Sequence, residues 1–77
     1  MMSAFVFIQI GGAADMSALH MQLHGVEGVK TVHFLAGPTD VVAFVETADS
    51  AGLMATIGKL RAVNGVASSD TRVVLPV

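Results

Sequence analysis

Apolar positions cluster along the chain in blocks separated by glycine, proline and small polar residues. Residues 4–10 (AFVFIQI) form a β-branched and aromatic run that stops at Gly11-Gly12, as a strand would. Alternation points Val6, Ile8 and Ile10 one way and Phe5, Phe7 and Gln9 the other. Asp15 then caps or opens a helix reaching about His24, in which Met16, Leu19 and Leu23 share one stripe and Gly25 is the stop. Residues 29–35 (VKTVHFL) predict a second strand and residues 41–47 (VVAFVET) a third. Between them lies the turn Gly37-Pro38-Thr39-Asp40, where proline presets φ. Asp49 or Ser50 caps a second helix to about Ala62, with Leu53, Ile57 and Leu60 on its inner stripe and Met54 beside them. Asn64-Gly65 ends that helix. Residues 71–77 (TRVVLPV) predict the fourth strand, with Pro76 at its frayed end.

The order is βαββαβ, and it carries a faint repeat. Val26-Glu27-Gly28-Val29 recurs as Val63-Asn64-Gly65-Val66, each following a helix and leading into the next strand, and Ala4-Phe5-Val6 recurs as Ala43-Phe44-Val45. Two βαβ halves with right-handed crossovers predict one α+β domain over residues 1–77 of ferredoxin-like plan. Its antiparallel sheet has the order 4-1-3-2, with both helices on one face. The first and third strands are apolar on both faces, yet two helices cover only one. The second face, carrying Phe5, Phe7, Val42 and Phe44, is therefore the expected interface of a homodimer packed sheet against sheet.

Composition sharpens that expectation. Hydrophobic residues make up 53% of the 77 positions and charged ones only 13%. A domain of this size buries roughly 60% of its unfolded-chain surface. The surplus apolar surface is exposed or covered by a partner. The absence of cysteine excludes a disulfide scaffold, a zinc ribbon and a thiolate nucleophile. Four basic against six acidic side chains give a net charge of −2, which argues against direct nucleic-acid binding. The start of the chain lacks a basic signal region, and its apolar runs are far below the ~20 residues of a membrane span. A cytoplasmic protein without membrane contact is expected.

The whole pattern resembles the Lrp/AsnC ligand-binding domain, also called the RAM domain. The residues that carry the resemblance are AFVFIQI, Val26-Glu27-Gly28-Val29-Lys30-Thr31-Val32, Gly37-Pro38-Thr39-Asp40-Val41-Val42-Ala43, Lys59 to Val66, and Thr71-Arg72-Val73-Val74-Leu75. They occur in the family's order over nearly the whole chain. The resemblance implies amino-acid-responsive transcription regulation, dimerisation through the sheet, assembly of dimers into rings such as octamers, and effector binding where dimers meet. No cofactor is expected. Mixed oligomers with full-length regulators carrying the same domain are a further expectation. Because the sequence opens three residues before the first strand, the expectation is a stand-alone sensing domain without a helix-turn-helix half. The effector loop of the family maps onto Gly37, Thr39 and Asp40, with Thr39 standing where the family often has tyrosine. Asp40 can accept hydrogen bonds from an ammonium group, and Thr39 can donate or accept; the alternative for Asp40 is a turn cap. Ser68 and the candidate effector contacts Ser69, Asp70 and Thr71 form a polar stretch ahead of the fourth strand, suited to lining the pocket from a neighbouring subunit.

Other constellations have simpler readings. His20 and His24 have the HxxxH spacing of metal ligands, but no cysteine or acidic companion is near, and both lie at the border of the helix stripe. His33 sits apart on the second strand. No metal is therefore assigned. Gly11-Gly12-Ala13-Ala14 lacks both GxGxxG and GK[ST], so it reads as a permissive connection. Met16 and Met54 read as core packing, and Met21 as a contact between dimers. Two alternatives share the fold: a dimeric α+β barrel enzyme, of the monooxygenase or isomerase kind, with a cavity beneath the helices, and an ACT-like regulatory module. No nucleophile–base or acid/base pair is apparent, so a non-enzymatic role is expected.

Overall fold

A computed structural model describes residues 1–12 and 15–77; Ala13 and Ala14 of the Gly-Gly-Ala-Ala connection lie outside the described residues. The elements are β1 (Met2–Ile10), α1 (Met16–His24), β2 (Val29–Phe34), β3 (Val41–Thr47), α2 (Ser50–Ala62) and β4 (Val66–Val73). They form a four-stranded antiparallel sheet of order β2-β3-β1-β4. This is the expected ferredoxin-like arrangement, with the sheet order read from the chain.

Both helices begin on the residues whose chemistry predicts it. The Asp15 carboxylate accepts from the Ser17 and Ala18 amides at 3.0 and 3.3 Å, and Asp49 Oδ1 accepts from the Gly52 amide at 2.8 Å. Each cap satisfies amides that have no partner within the helix. Leu19 and Leu23 of α1 and Leu53 and Leu60 of α2 are buried together against Ala4, Val6, Ile8, Val41, Ala43 and Val45. One apolar layer thus lies between the sheet and its two helices. The opposite parity of β1 and β3 leaves Phe5, Phe7, Val42 and Phe44 on the helix-free face.

The Val-x-Gly-Val repeat has an identical structural role in both halves. Gly28 and Gly65 have φ of +98° and +104°. In each turn the amide of the last valine donates to the carbonyl of the first at 3.1 Å, Val29 to Val26 and Val66 to Val63. This is the geometry in which the third turn position needs glycine. Each glycine carbonyl then accepts from a strand end of the other half: Glu46 N to Gly28 O and Gly11 N to Gly65 O, both 2.9 Å. The repeat stitches the halves together.

Four expectations are corrected. Strand β4 begins at Val66 and stops at Val73, in place of the expected span from Thr71 to Val77. Ser68, Ser69 and Asp70 therefore lie inside the strand, paired with Gln9, Ile8 and Phe7, and not in a loop before it. An edge strand with one half-buried face needs few apolar residues, and Pro76 cannot join a ladder. Met16 is 47% exposed and Met54 69% exposed, so neither is core. On α2 the buried place is taken by Thr56, three residues from Leu53, because its hydroxyl reaches the Glu27 carbonyl at 2.9 Å.

Candidate functional site

The turn from β2 to β3 is tied to the end of β1. The Leu35 amide donates to the Asp40 carbonyl at 2.8 Å and closes the loop. Asp40 Oδ2 accepts from the Ile10 amide at 2.9 Å, and the Gln9 side-chain amide donates to the Pro38 carbonyl. The register of β1 against β4 shifts between Gln9 and Ile10, and the Asp40 carboxylate supplies the acceptor at that irregularity. Asp40 is thus a cap in fact, holding a strand end. Among the described hydrogen bonds, its other carboxylate oxygen and the Thr39 hydroxyl have no side-chain or backbone partner within the subunit. Gly37 is exposed at φ +149°, with open space where a side chain would stand.

Strand β4 separates the remaining candidates by parity. Ser69 and Thr71 stand opposite Ile8 and Val6, on the helix side of the sheet. Asp70 stands opposite Phe7 on the open face. There it pairs with Arg72 at 3.0 Å, and the Arg72 guanidinium lies 4.9 Å above the Phe7 ring. Ser69 shares the sheet end of the Gly37–Asp40 turn; Thr71 lies two residues further along. None of Gly37, Thr39, Asp40, Ser69, Asp70 and Thr71 lines the surface grooves of about 420, 340 and 440 Å³ found among the described residues. The six are not brought together: Gly37, Thr39 and Asp40 belong to the turn between β2 and β3, Ser69 and Thr71 are half-buried on the helix side of β4, and Asp70 is exposed on the open face.

The open face carries an apolar stripe. Phe5 is 43% exposed, and its ring centroid lies 5.0 Å from that of Phe44. This apolar stripe along β1 and β3 is flanked by Thr31 and His33 from β2, and by Ser68, Asp70 and Arg72 from β4. An apolar centre with a polar rim is the usual arrangement where two proteins meet. Alternation in the sequence locates the stripe but not the Asp70–Arg72 pair, because the polar first half of β4 carries no strand pattern.

The remaining histidines and methionines are peripheral. His20 and His24 have nearly parallel rings 6.0 Å apart, and His20 meets Phe34 edge-on at 5.7 Å. Among the described residues no three His, Asp or Glu side chains converge as metal ligands. Met16, His20, Met21 and Phe34 line an open apolar groove of about 440 Å³. Among the described residues no helix is long and apolar enough to cross a membrane.

The family model of the Lrp/AsnC ligand-binding domain matches residues 3–76. The chain belongs to that family. Lrp/AsnC domains of solved structure share its fold. Protein TTHA0845 of Thermus thermophilus superposes with a TM-score of 0.87 at 27% identity, covering 100% of this chain and 96% of that one. AsnC of E. coli gives 0.84 at 20% identity, over 99% of this chain and 53% of its own. The regulator NMB0573 of Neisseria meningitidis, solved as a complex with L-Met, gives 0.85 at 21%, over 96% and 49%. The chain thus spans about half the length of the latter two regulators. No curated protein sequence matches it.

Proposed function

We propose that this domain senses a small effector, an amino acid, and converts its binding into a change of assembly. The observation that carries the reading is the Gly37–Asp40 turn of this Lrp/AsnC domain. It is anchored through Asp40 Oδ2 and Pro38, yet leaves the second oxygen of half-buried Asp40, the half-buried Thr39 hydroxyl and the exposed Gly37 without a partner among the described hydrogen bonds. Such a half-site suits a zwitterion held between subunits, with Asp40 accepting from its ammonium. Ser69, Asp70 and Thr71 are proposed to contribute from a neighbouring copy. L-Met in the Neisseria relative supports the ligand class.

The partner in this reading is first a second copy of the chain, packed through Phe5, Phe7, Val42 and Phe44. Dimers then associate further, and the groove beside Met21 is a contact between them. Full-length regulators of the family are proposed as mixed partners. A net charge of −2 favours binding of effector and protein over DNA, and the role is one of binding without catalysis. A thermal-shift screen against the twenty amino acids tests the reading. Saturable stabilisation by at least one of them, lost in Asp40→Asn, is expected; no stabilisation by any would refute it.

A further inference from the structure

The chain has a single asparagine, and glycine follows it: Asn64-Gly65. The pair takes the two central positions of the second Val-x-Gly-Val turn, between the end of α2 and the start of β4. Its counterpart in the first half is Glu27-Gly28. Both turns close with the same valine-to-valine bond and carry a positive-φ glycine. One position thus holds a carboxylate in one half and a carboxamide in the other. Only the carboxamide can react with its own backbone.

The turn leaves both reacting groups disengaged. Asn64 is exposed, and its side chain neither donates nor accepts among the described hydrogen bonds. The Gly65 amide has no acceptor among those bonds either, whereas its carbonyl is held by Gly11 N at 2.9 Å. With φ of +104° and no Cβ, Gly65 puts no side chain in front of that nitrogen. Asn64 and Gly65 both line a groove of about 340 Å³, which gives the carboxamide room to fold back and admits water.

We infer that Asn64 is a site of spontaneous deamidation in the folded protein, through attack of the Gly65 amide nitrogen on Asn64 Cγ. A carbon–nitrogen bond forms between them, and the side-chain nitrogen leaves as ammonia, taking the proton that Gly65 gives up. A cyclic succinimide remains. Water then adds to one of its carbonyls and opens the ring. Opening at Cγ leaves ordinary aspartate at position 64; opening at the backbone carbonyl leaves isoaspartate, with the chain routed through Cγ. Ammonia out and water in is the whole balance, with no oxidant or cofactor.

The two products have different consequences for the fold. Aspartate reproduces in the second turn the acidic residue that Glu27 already supplies in the first, where the same turn geometry holds. Isoaspartate adds a methylene to the backbone of a turn that is fixed at both ends. Val66 N bonds Val63 O at 3.1 Å across it, and Gly65 O takes the Gly11 amide from the other half. The longer chain pulls these bonds out of register. Deamidation to aspartate is tolerated, and deamidation to isoaspartate loosens the stitch between the halves.

Ageing the full chain at mildly alkaline pH, folded in buffer and unfolded in guanidinium chloride, tests this. The tryptic peptide of residues 62–72 is followed by mass spectrometry, and isoaspartate by methyl uptake in an isoaspartyl carboxyl methyltransferase assay. Amide loss at Asn64 is expected in both samples, with isoaspartate among the products. A folded domain visits its unfolded state roughly a thousandth of the time or less, so a folded-chain rate within about a hundredfold of the unfolded one supports reaction in the native turn. A slower rate, or none, would overturn the inference. Asn64→Gln, whose longer side chain closes the ring far more slowly, is expected to keep its amide over the same period; losing it as fast as asparagine would also overturn the mechanism. Asn64→Asp is expected to melt with the fresh chain and above the aged isoaspartyl fraction. The reverse order would overturn the assignment of the two products.

Discussion

Asp40 serves two purposes with two oxygens, and substitution separates them. Asp40→Ala strips the Ile10 amide of its acceptor at a half-buried strand end. A hydrogen bond to a charged group contributes about 1.5–3 kcal/mol, so a loss near the lower end is expected in urea unfolding. Asp40→Asn keeps an acceptor and recovers much of that stability, while weakening attraction for an ammonium group. Equal stability of the Ala and Asn variants would show that the bond to Ile10 is unimportant. Gly28 is a sharper case. Its φ of +98° and the 2.7 Å approach to Thr56 make Gly28→Ala both strained and crowded. A loss of about 1–3 kcal/mol is expected. Gly37→Ala meets open space, so only its backbone conformation at φ +149° resists the change. A smaller loss than at Gly28, measured by the same unfolding experiment, is the prediction.

At the scale of elements, much was legible because the physical signals are local. The Asp15 and Asp49 caps, the period of α1 at Leu19 and Leu23, and the alternation of β1 and β3 all act within a few residues. The turn at Gly37–Asp40 was legible for the same reason. What escaped depends on distant partners. Strand β4 is polar because it is an edge strand with one half-buried face, and its pairing with β1 defines it, not its composition. Thr56 is buried because Glu27, 29 residues away, supplies an acceptor. The bulge at Lys30, where Val29 pairs with Val45 and Thr31 with Phe44, is likewise a matter of pairing that periodicity does not encode. The caps give a direct check: Asp49→Ala removes the bond to the Gly52 amide and is expected to cost about 1 kcal/mol. A change in unfolding midpoint too small to resolve would show that α2 is held by packing alone.

For the whole molecule, the apolar surplus has an address. The helix side of the sheet is filled by Val6, Ile8, Leu19, Leu23 and Leu60. The open side presents Phe5 and Phe44 in mutual contact, rimmed by polar side chains of the edge strands. A charge placed at the middle of that stripe would be desolvated in a sheet-to-sheet dimer and solvated in a monomer. Phe44→Asp is therefore expected to halve the mass seen by sedimentation while leaving the far-UV signature of the fold. An unchanged mass would move the interface elsewhere. The central claim, that an Lrp/AsnC domain here couples effector binding to assembly, is tested most directly by native mass spectrometry of the unmodified chain across the amino acids. The account predicts dimers or multiples of dimers whose distribution shifts with at least one amino acid. A monomer throughout, or a distribution that none of them changes, would contradict it.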